Sequence, residues 1–205
     1  MNSLLYERLA LSRDKKGVLE LSKKGQVIKE PKDIVKDPFV LEFLSLKENP
    51  SFQESELEEK LILRLKDFLL ELGKGFSFIA RQKRITVGSD HYYVDLVFYN
   101  YILKCFVLID LKTGKLDHGD IGQMDFYVRY YEKEERREGD NPTIGLILCS
   151  DQNKAMVRYT LLSEGKRIFS SKYKLILPGE KELRAELERQ TRLLEAQKPK
   201  ISNSE

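Results

Sequence analysis

The amino-acid sequence predicts an α/β fold in which helices flank a mixed β-sheet. An amphipathic helix over residues 54–73 precedes several strand-forming segments between residues 76 and 111. A second helix, from about residue 120 to 137, is followed by an apolar strand over 144–149. Because a right-handed crossover joins such a strand–helix–strand unit, its two strands are expected to be parallel, whereas the preceding hairpin strands are antiparallel.

Length and composition are those of one domain with an appendage. The chain has 205 residues, and 41% of them are hydrophobic, which is enough to bury a core. With 36 Lys and Arg against 33 Asp and Glu, the net charge of +3 does not indicate a partner. No apolar run approaches the roughly 20 residues of a membrane span, and the N-terminus has no signal-peptide pattern. We therefore expect a cytoplasmic protein without a membrane partner.

Several catalytic chemistries lack the residues they need. Two histidines and two distant cysteines argue against a structural zinc site. The sequence contains neither a phosphate-binding G-x-x-x-x-G-K-[ST] loop nor a G-x-S-x-G nucleophile elbow. Cys105 and Cys149 each lie in an apolar run and are expected to be reduced core residues. Carboxylates and lysines remain plentiful, and these are the components of a magnesium site.

The helix over residues 54–73 carries a carboxylate on its apolar face. Ser55 is predicted to cap the helix, with Glu58 completing a capping box, and Gly73 is predicted to end it. At about 100° per residue, Glu58 falls within the arc of apolar side chains, whereas Glu59 falls outside it. Glu58 therefore needs a partner, because burying a carboxylate alone is costly.

Aromatic and β-branched runs predict the strands. Residues 76–87 form one or two extended segments, Gly88-Ser89-Asp90 a hairpin turn and residues 91–99 the returning strand. Residues 104–111, KCFVLIDL, are a continuous apolar run that is typical of a central strand covered on both faces.

The two ends of the chain are expected to add peripheral elements. Residues 1–50 contain short helices too small for a core of their own, so they should pack on the domain that comes after them in the chain. After residue 150 we expect a short helix over 154–162, a last strand over 173–177 and a charged helix over 180–197. The predicted boundaries are 1–50 for the appendage, 51–182 for the domain and 183–205 for a C-terminal helix and tail.

Two aspartates and a lysine occur on strands where apolar residues are expected. Asp110 interrupts the apolar run from Cys105 to Leu111, and Lys112 follows on the same face. Asp95 is the one acid within residues 91–99. If the two strands are neighbours, Asp95 and Asp110 come together, and each raises the pKa of the other unless a cation lies between them. Mg²⁺ suits such a site, because it binds one or two carboxylates and keeps positions open for water and phosphate.

Lys112 and the helix that follows it could complete the site. Lys112 could orient or deprotonate a water, or stabilise charge on phosphoryl oxygens. Gln123, Tyr127 and Tyr130 recur at helical spacing and could flank the same site. Each feature also has an ordinary interpretation: an exposed strand end, an aspartate bonded to a turn, a capping glutamate or a packing stripe. Their joint order favours the site.

Six stretches carry a family pattern: DPFVLEFL (37–44), LLELGKGFSFIARQKRITVG (69–88), HYYVDLVFYN (91–100), CFVLIDLKTGK (105–115), GQMDFYVRYY (122–131) and NPTIGLILC (141–149). In this order the chain resembles the PD-(D/E)XK nuclease superfamily and, over about residues 35–182, the bacterial YhcG-type nuclease domains. The resemblance implies a restriction-endonuclease-like αβββαβ core and a magnesium-dependent site, with Mn²⁺ as an alternative metal. It also implies that residues 1–50 are the remnant of a DNA-binding domain.

The resemblance implies a role for each polar position. The matches are Asp95 to the first motif acid, Asp110 and Lys112 to the second acid and the lysine, Glu58 to the acid of the leading helix, and Gln123 to the glutamine after the lysine. Two positions depart from the pattern. Val94 stands where the superfamily name has proline, and Asp110 is an aspartate where glutamate is commoner, which could change its reach toward a metal.

We therefore expect a nuclease acting on DNA, most simply an endonuclease. The expected metal ligands are Asp95, Asp110, the backbone carbonyl of Leu111 and, through a water, Glu58, with Lys112 supporting the attack. The expected nucleic-acid contacts are Arg81, Lys83, Arg84, Lys115 and Tyr127, although the basic residues could equally form a solvated strand face. The alternatives are a nuclease-fold module that binds nucleic acid or a protein without cutting, and a scaffold that dimerises through the helix face of residues 123–131. RNA as the substrate and a homodimer also stay open.

Overall fold

A mixed β-sheet forms the centre of the structure, which is a computed structural model describing residues 28–36, 38–44, 46, 53–151 and 167–175. Within these residues the sheet has six strands: β1 (Phe39–Val40), β2 (Phe76–Val87), β3 (Asp90–Asn100), β4 (Cys105–Lys115), β5 (Ile144–Asp151) and β6 (Ile168–Lys174). The α-helices described are α1 (Glu54–Leu63), α2 (Leu65–Leu72) and α3 (His118–Tyr130). Short 3₁₀ helices lie at Pro31–Ile34 and Glu42–Leu44, and a π-helical turn, Tyr131–Glu135, continues α3.

The strand directions confirm the predicted mixed sheet. Its order is β1-β6-β5-β4-β3-β2. The pairs β2–β3 and β3–β4 are antiparallel, whereas β4–β5, β5–β6 and β1–β6 are parallel. Helix α3 connects the parallel strands β4 and β5 as the predicted crossover. The order of helices, three antiparallel strands, crossover helix and parallel strand is that of the restriction-endonuclease-like αβββαβ core.

Two apolar clusters cover the sheet, one beneath α1 and α2 and the other beneath α3. Leu57 and Phe68 belong to the first cluster, and Ile121 belongs to the second. Strand β4 contributes to both, since Ile109 lies in the first cluster and Leu108 in the second. The prediction of a central strand buried on both faces is therefore confirmed.

The first predicted helix differs from the structure in two details. Arg64, with φ −113° and ψ 32°, separates α1 from α2. The predicted cap at Ser55 is wrong, because the residue before α1 is Gln53 and Ser55 lies inside the helix. Glu54 is already in the first turn, where its carboxylate accepts the backbone N–H of Thr113 on β4. Gly73 ends α2 as predicted, with a φ of 106° that glycine adopts without a steric cost.

The later elements also deviate from the predicted bounds. Helix α3 ends at Tyr130 rather than near residue 137, because the chain continues as the π-helical turn. The last strand begins at Ile168 rather than 173. The start of this strand was missed because polar residues occupy its centre and interrupt the apolar pattern. Ser171 is nevertheless buried, and its hydroxyl donates to the Lys36 carbonyl. The helices predicted over 154–162 and 180–197 lie outside the described residues.

The segment before residue 50 contributes to the sheet. Phe39 and Val40 form β1, which pairs with β6, and Leu41 and Leu44 lie in the core beneath α1 and α2. The predicted boundary at residue 50 stays a prediction, although residues on both of its sides share this core.

Both cysteines are buried, Cys105 in one apolar cluster and Cys149 in the other. Over the described ranges, no helix has the length and apolar character needed to cross a membrane.

Asn100 organises the turn between β3 and β4. The fully buried side chain accepts the backbone N–H of Ile102 at 3.1 Å and of Leu103 at 3.0 Å, and it donates to the Lys74 carbonyl at 3.2 Å. Asn100→Ala is expected to lower the free energy of unfolding by about 2–3 kcal/mol, because it leaves these backbone groups without their partner. Urea denaturation measures the change. Tyr101→Ala, at an exposed position of the same turn, should stay within about 0.5 kcal/mol, and equal effects would contradict the role of Asn100.

Candidate active site

Strands β3 and β4 separate where the two predicted aspartates lie. Their described pairing ends at Leu96 and Ile109, and beyond this point β3 pairs with β2 while β4 pairs with β5. Asp95 and Asp110 are the next residues on the two strands. The Asp95 side chain bridges the separation, because its Oδ2 accepts the backbone N–H of Leu111 at 2.8 Å. We call this point the fork.

The ammonium group of Lys112 lies among three carboxylates at the fork. Its Nζ is 3.1 Å from Asp110 Oδ2, 3.6 Å from Asp120 Oδ1 and 3.7 Å from Glu54 Oε2. Burial lowers the pKa of Lys112, but the negative charges of these neighbours outweigh it and hold the pKa above its ordinary value. The Lys112 side chain is therefore a positively charged ammonium in this arrangement.

Burial dominates the electrostatics of both aspartates. Asp110 is 2% exposed, and its Oδ2 receives no well-aligned hydrogen bond although Lys112 lies beside it. Burial raises the pKa of Asp110 against the opposing charge of Lys112. Burial, and then the charge of Asp110, raise the pKa of Asp95 to about 7 despite its hydrogen bond from Leu111. The charge of Lys112 thus does not fully offset the burial of the two carboxylates, and a bound cation would supply further positive charge.

Glu58 joins the site from α1. It is 4% exposed, as its place in the apolar arc predicted, and its carboxylate accepts hydrogen bonds from Arg81 Nε and Gln82 Nε2. Gln82 Nε2 also donates to Asp95 Oδ1 at 2.9 Å. Strand β2 therefore supplies the partners that an inward-facing glutamate needs, and the shared amide brings Glu58 and Asp95 together.

Gln123 and Tyr127 lie on α3, and Tyr127 is close to the two aspartates. The Tyr127 hydroxyl accepts a hydrogen bond from Gln123 Nε2 and donates to the Tyr93 carbonyl at 2.7 Å. Burial, together with the nearby charges of Asp110 and Asp95, raises the pKa of Tyr127. The Tyr127 side chain is fully buried and contacts the backbone of β3 from α3. It therefore has no exposed surface for the nucleic-acid contact that the sequence predicted.

The other predicted nucleic-acid contacts retain accessible side chains. Arg81 and Lys83 are both 43% exposed and pair with Glu58 and Glu135, respectively. Arg84 and Lys115 are exposed. The first three cations lie on the β2–β3 hairpin, which forms one branch of the fork, and Lys115 ends β4 on the other branch.

Three polar residues at the site were not predicted: Glu54, Gln82 and Asp120. Asp120 had a local signal, because it forms a reciprocal capping box with Asp117 at the start of α3. Gln82 could have been found from the hairpin register, because a turn at Gly88-Ser89 places Gln82 opposite Asp95. Glu54 had none, because its contact with β4 arises only from the packing of α1 on the sheet.

The donor set suits a hard divalent cation. Asp95 and Asp110 offer carboxylate oxygens, and the buried Oδ2 of Asp110 lacks an aligned donor. In the part of the chain that the structure describes, no group of three or more His, Cys, Asp or Glu side chains is close enough to enclose a metal. Mg²⁺ does not need such a cage, because it binds one or two carboxylates and retains several waters. The residues therefore fit an open magnesium site.

One family model and one curated relative match the chain over most of its length. A family model described as the YhcG PDDEXK nuclease domain matches residues 32–188. A protein of Escherichia coli (strain K12) named "Putative nuclease YhcG" is 40% identical over 190 residues, which are 93% of this chain and 50% of that protein. The chain thus spans about half the length of the curated relative it matches.

Two solved structures show a weaker likeness. A repair endonuclease from Pyrococcus abyssi is 24% identical, with coverage of 62% of this chain and 50% of that chain and a TM-score of 0.43. The EndoMS–dsDNA2 complex is 20% identical, with coverage of 66% and 50% and a TM-score of 0.43.

The family match includes all six described strands, the three α-helices and the fork. It agrees with the family resemblance of the sequence motifs, and the relative from Escherichia coli agrees with it independently. This chain therefore belongs to the family of YhcG PDDEXK nuclease domains.

Proposed function

We propose that this chain is a metal-dependent endonuclease domain that hydrolyses phosphodiester bonds in DNA, with Mg²⁺ as its metal and Mn²⁺ as a substitute. The observation that carries the proposal is the fork, where the buried Asp110 and the half-buried Asp95 lie at the separation of β3 and β4, with Lys112 beside Asp110. Family membership supports the nuclease class, and the two carboxylates support the divalent metal.

Each residue at the fork has a distinct task in this proposal. Asp95, Asp110 and the Leu111 carbonyl would hold the metal, with Glu58 facing it through a water. A bound divalent ion would neutralise charge on the scissile phosphate and lower the pKa of a water. The Leu111 N–H fixes the orientation of the Asp95 carboxylate, and Arg81 restrains Glu58.

Lys112 stabilises negative charge in the proposed reaction. Its three carboxylate neighbours keep it an ammonium, so it is suited to contacting phosphoryl oxygens as charge develops on them. Asp120 and Glu54 hold the side chain from opposite elements, α3 and α1, which limits where Nζ can go. Lys112 therefore supplies positive charge at a defined position, which is more effective than a mobile surface lysine.

Basic residues on both branches of the fork support a nucleic-acid substrate. Arg81, Lys83 and Arg84 lie on the hairpin branch and Lys115 on the β4 branch, so a backbone passing the aspartates would meet cations on either side. We propose DNA as the substrate; RNA and a homodimer stay predictions.

We also propose the cytoplasm as the location, because both cysteines are buried in the core.

The proposal predicts metal-dependent cleavage of DNA by the purified chain. Supercoiled plasmid, linear duplex, single-stranded and branched DNA are each incubated with Mg²⁺, with Mn²⁺ or with EDTA. We expect cutting only with a divalent metal, and nicking of the closed plasmid would identify an endonuclease. Glu134→Gln, at an exposed position of the π-helical turn, should cut like the wild type. DNA binding without cleavage of any substrate would instead support the nuclease-fold module that binds without cutting.

A further inference from the structure

Gln82 has a backbone conformation that is unusual for its residue type and position. Its φ is +44°, in the left-handed region that L side chains rarely adopt, although it lies inside β2. The pairs on either side, Arg81 with Leu96 and Lys83 with Val94, continue the ladder. The strand is therefore not interrupted at Gln82, and the left-handed conformation is confined to this residue.

Among the residues described, the other non-glycine residue with a positive φ is Lys104, at +49°. Lys104 lies in the turn between β3 and β4, where a left-handed residue has an ordinary role in reversing the chain. Gln82 reverses nothing. A strained conformation within a strand persists only where the surrounding contacts hold it, and such residues cluster at functional sites.

The side chain of Gln82 shows what its backbone conformation achieves. Its single amide nitrogen donates to Glu58 on α1 and to Asp95 on β3. A primary amide has two N–H groups, so one nitrogen can serve both carboxylates. Glutamine is also uncharged, so it links the two acids without cancelling their negative charge. A lysine or arginine at this position would make the same link while competing with a metal cation.

From these contacts we infer that Gln82 is a positioning residue, whose left-handed backbone directs a neutral amide that holds Glu58 and Asp95 ready for a divalent cation. The inference rests on the proposed metal-dependent function and deepens it. Partners that orient ligating groups commonly change metal affinity by roughly tenfold to a hundredfold when they are removed. The opposing interpretation is that Gln82 merely ties α1 to the hairpin, in which case its loss would alter stability and not metal binding.

The test compares Gln82→Gly with Lys104→Gly. Both substitutions relieve a left-handed backbone, but only Gln82→Gly removes an amide from the site. Mn²⁺ alone is the probe, and the free ion is followed by electron paramagnetic resonance, while urea unfolding in EDTA reports stability. We expect both variants to remain folded, with Lys104→Gly at least as stable as the wild type, and only Gln82→Gly to bind Mn²⁺ about tenfold more weakly. Wild-type affinity in Gln82→Gly, whatever its stability, would overturn the inference.

Gln82→Lys provides a second test that does not depend on the glycine variant folding. Lysine can still donate to both carboxylates, so stability should be kept, but its charge should weaken Mn²⁺ binding by more than tenfold. Unchanged Mn²⁺ affinity in Gln82→Lys would show that a neutral amide is not needed and would also overturn the inference. If the wild type itself bound no Mn²⁺, the proposed metal-dependent function would fail and the inference with it. If the wild type and the variants bound Mn²⁺ equally well, the inference about Gln82 would fail while the proposed metal-dependent function would stand.

Discussion

Replacing Asp110 by asparagine is expected to abolish metal-dependent cleavage while making the metal-free protein more stable. The substitution keeps the shape of the side chain but removes a charge that is 2% exposed and whose Oδ2 lacks an aligned hydrogen bond. Burial already raises the pKa of Asp110, so its ionised form opposes folding at neutral pH. The free energy of unfolding should rise by about 1 kcal/mol, and cleavage should fall at least about a thousandfold.

Two measurements on the same preparation check this result. Urea unfolding in EDTA gives the stability, and the DNA cleavage rate with Mg²⁺ gives the activity. Asp90→Asn removes a carboxylate at an exposed position at the start of β3 and should change neither quantity appreciably. Undiminished cleavage by Asp110→Asn would remove Asp110 from the proposed site. Loss of stability would show instead that the carboxylate is needed for folding.

Lys112→Met is expected to abolish cleavage and, in contrast to Asp110→Asn, to destabilise the protein. Removing the ammonium leaves Asp110, Asp120 and Glu54 facing a site without its positive charge. Breaking a buried ion pair by removing one partner costs about 3–5 kcal/mol, and the 18% exposure of Lys112 places this case near the lower end of that range. Millimolar Mg²⁺ should restore part of the loss, because a cation can again neutralise the acids.

The contrast with a charge-preserving variant makes the second prediction specific. Lys112→Arg keeps the positive charge and should retain most of the stability, but its planar guanidinium cannot take the place of a compact ammonium, so cleavage should still fall. The double variant Asp110→Asn, Lys112→Met should lose less stability than the single changes predict by addition, because the two side chains are 3.1 Å apart. Wild-type stability of Lys112→Met would show that Lys112 does not balance these carboxylates.

These opposite effects arise from the construction of the fork. Strand β4 buries Asp110, β3 leaves Asp95 half-buried, and Lys112 is held by carboxylates from three different elements. A site of this kind stores unfavourable electrostatic energy in the metal-free protein, and the residues of α1 and β2 must hold it together. The hydrogen bonds of Gln82 and Arg81 to Glu58 serve that purpose.

Much of the fold could be predicted because it depends on local patterns. The apolar run from Cys105 to Leu111 predicted a strand buried on both faces, Gly88-Ser89-Asp90 predicted a hairpin turn, and the structure has both. Glu58 was identifiable because a single acid in an apolar arc requires a partner, and the structure buries it. Tertiary contacts overrode local sequence patterns at two places, however, the start of α1 and the centre of β6. Glu54 starts α1 before Ser55 could cap it, and Ser171 is accepted in β6 because Lys36 supplies its hydrogen-bond acceptor.

The sequence by itself determined the order of a helix, antiparallel strands, a crossover helix and a further strand, and the candidates Asp95, Asp110 and Lys112, because burial periodicity and misplaced charges are properties of neighbouring residues. Only the tertiary structure decided which residues surround them. Strand separation at the fork, the approach of Glu54 from α1 and the left-handed conformation of Gln82 depend on how several elements pack against one another. Electrostatic and hydrogen-bonding partners are set by distances of a few ångströms, and those distances exist only after the helices have packed on the sheet.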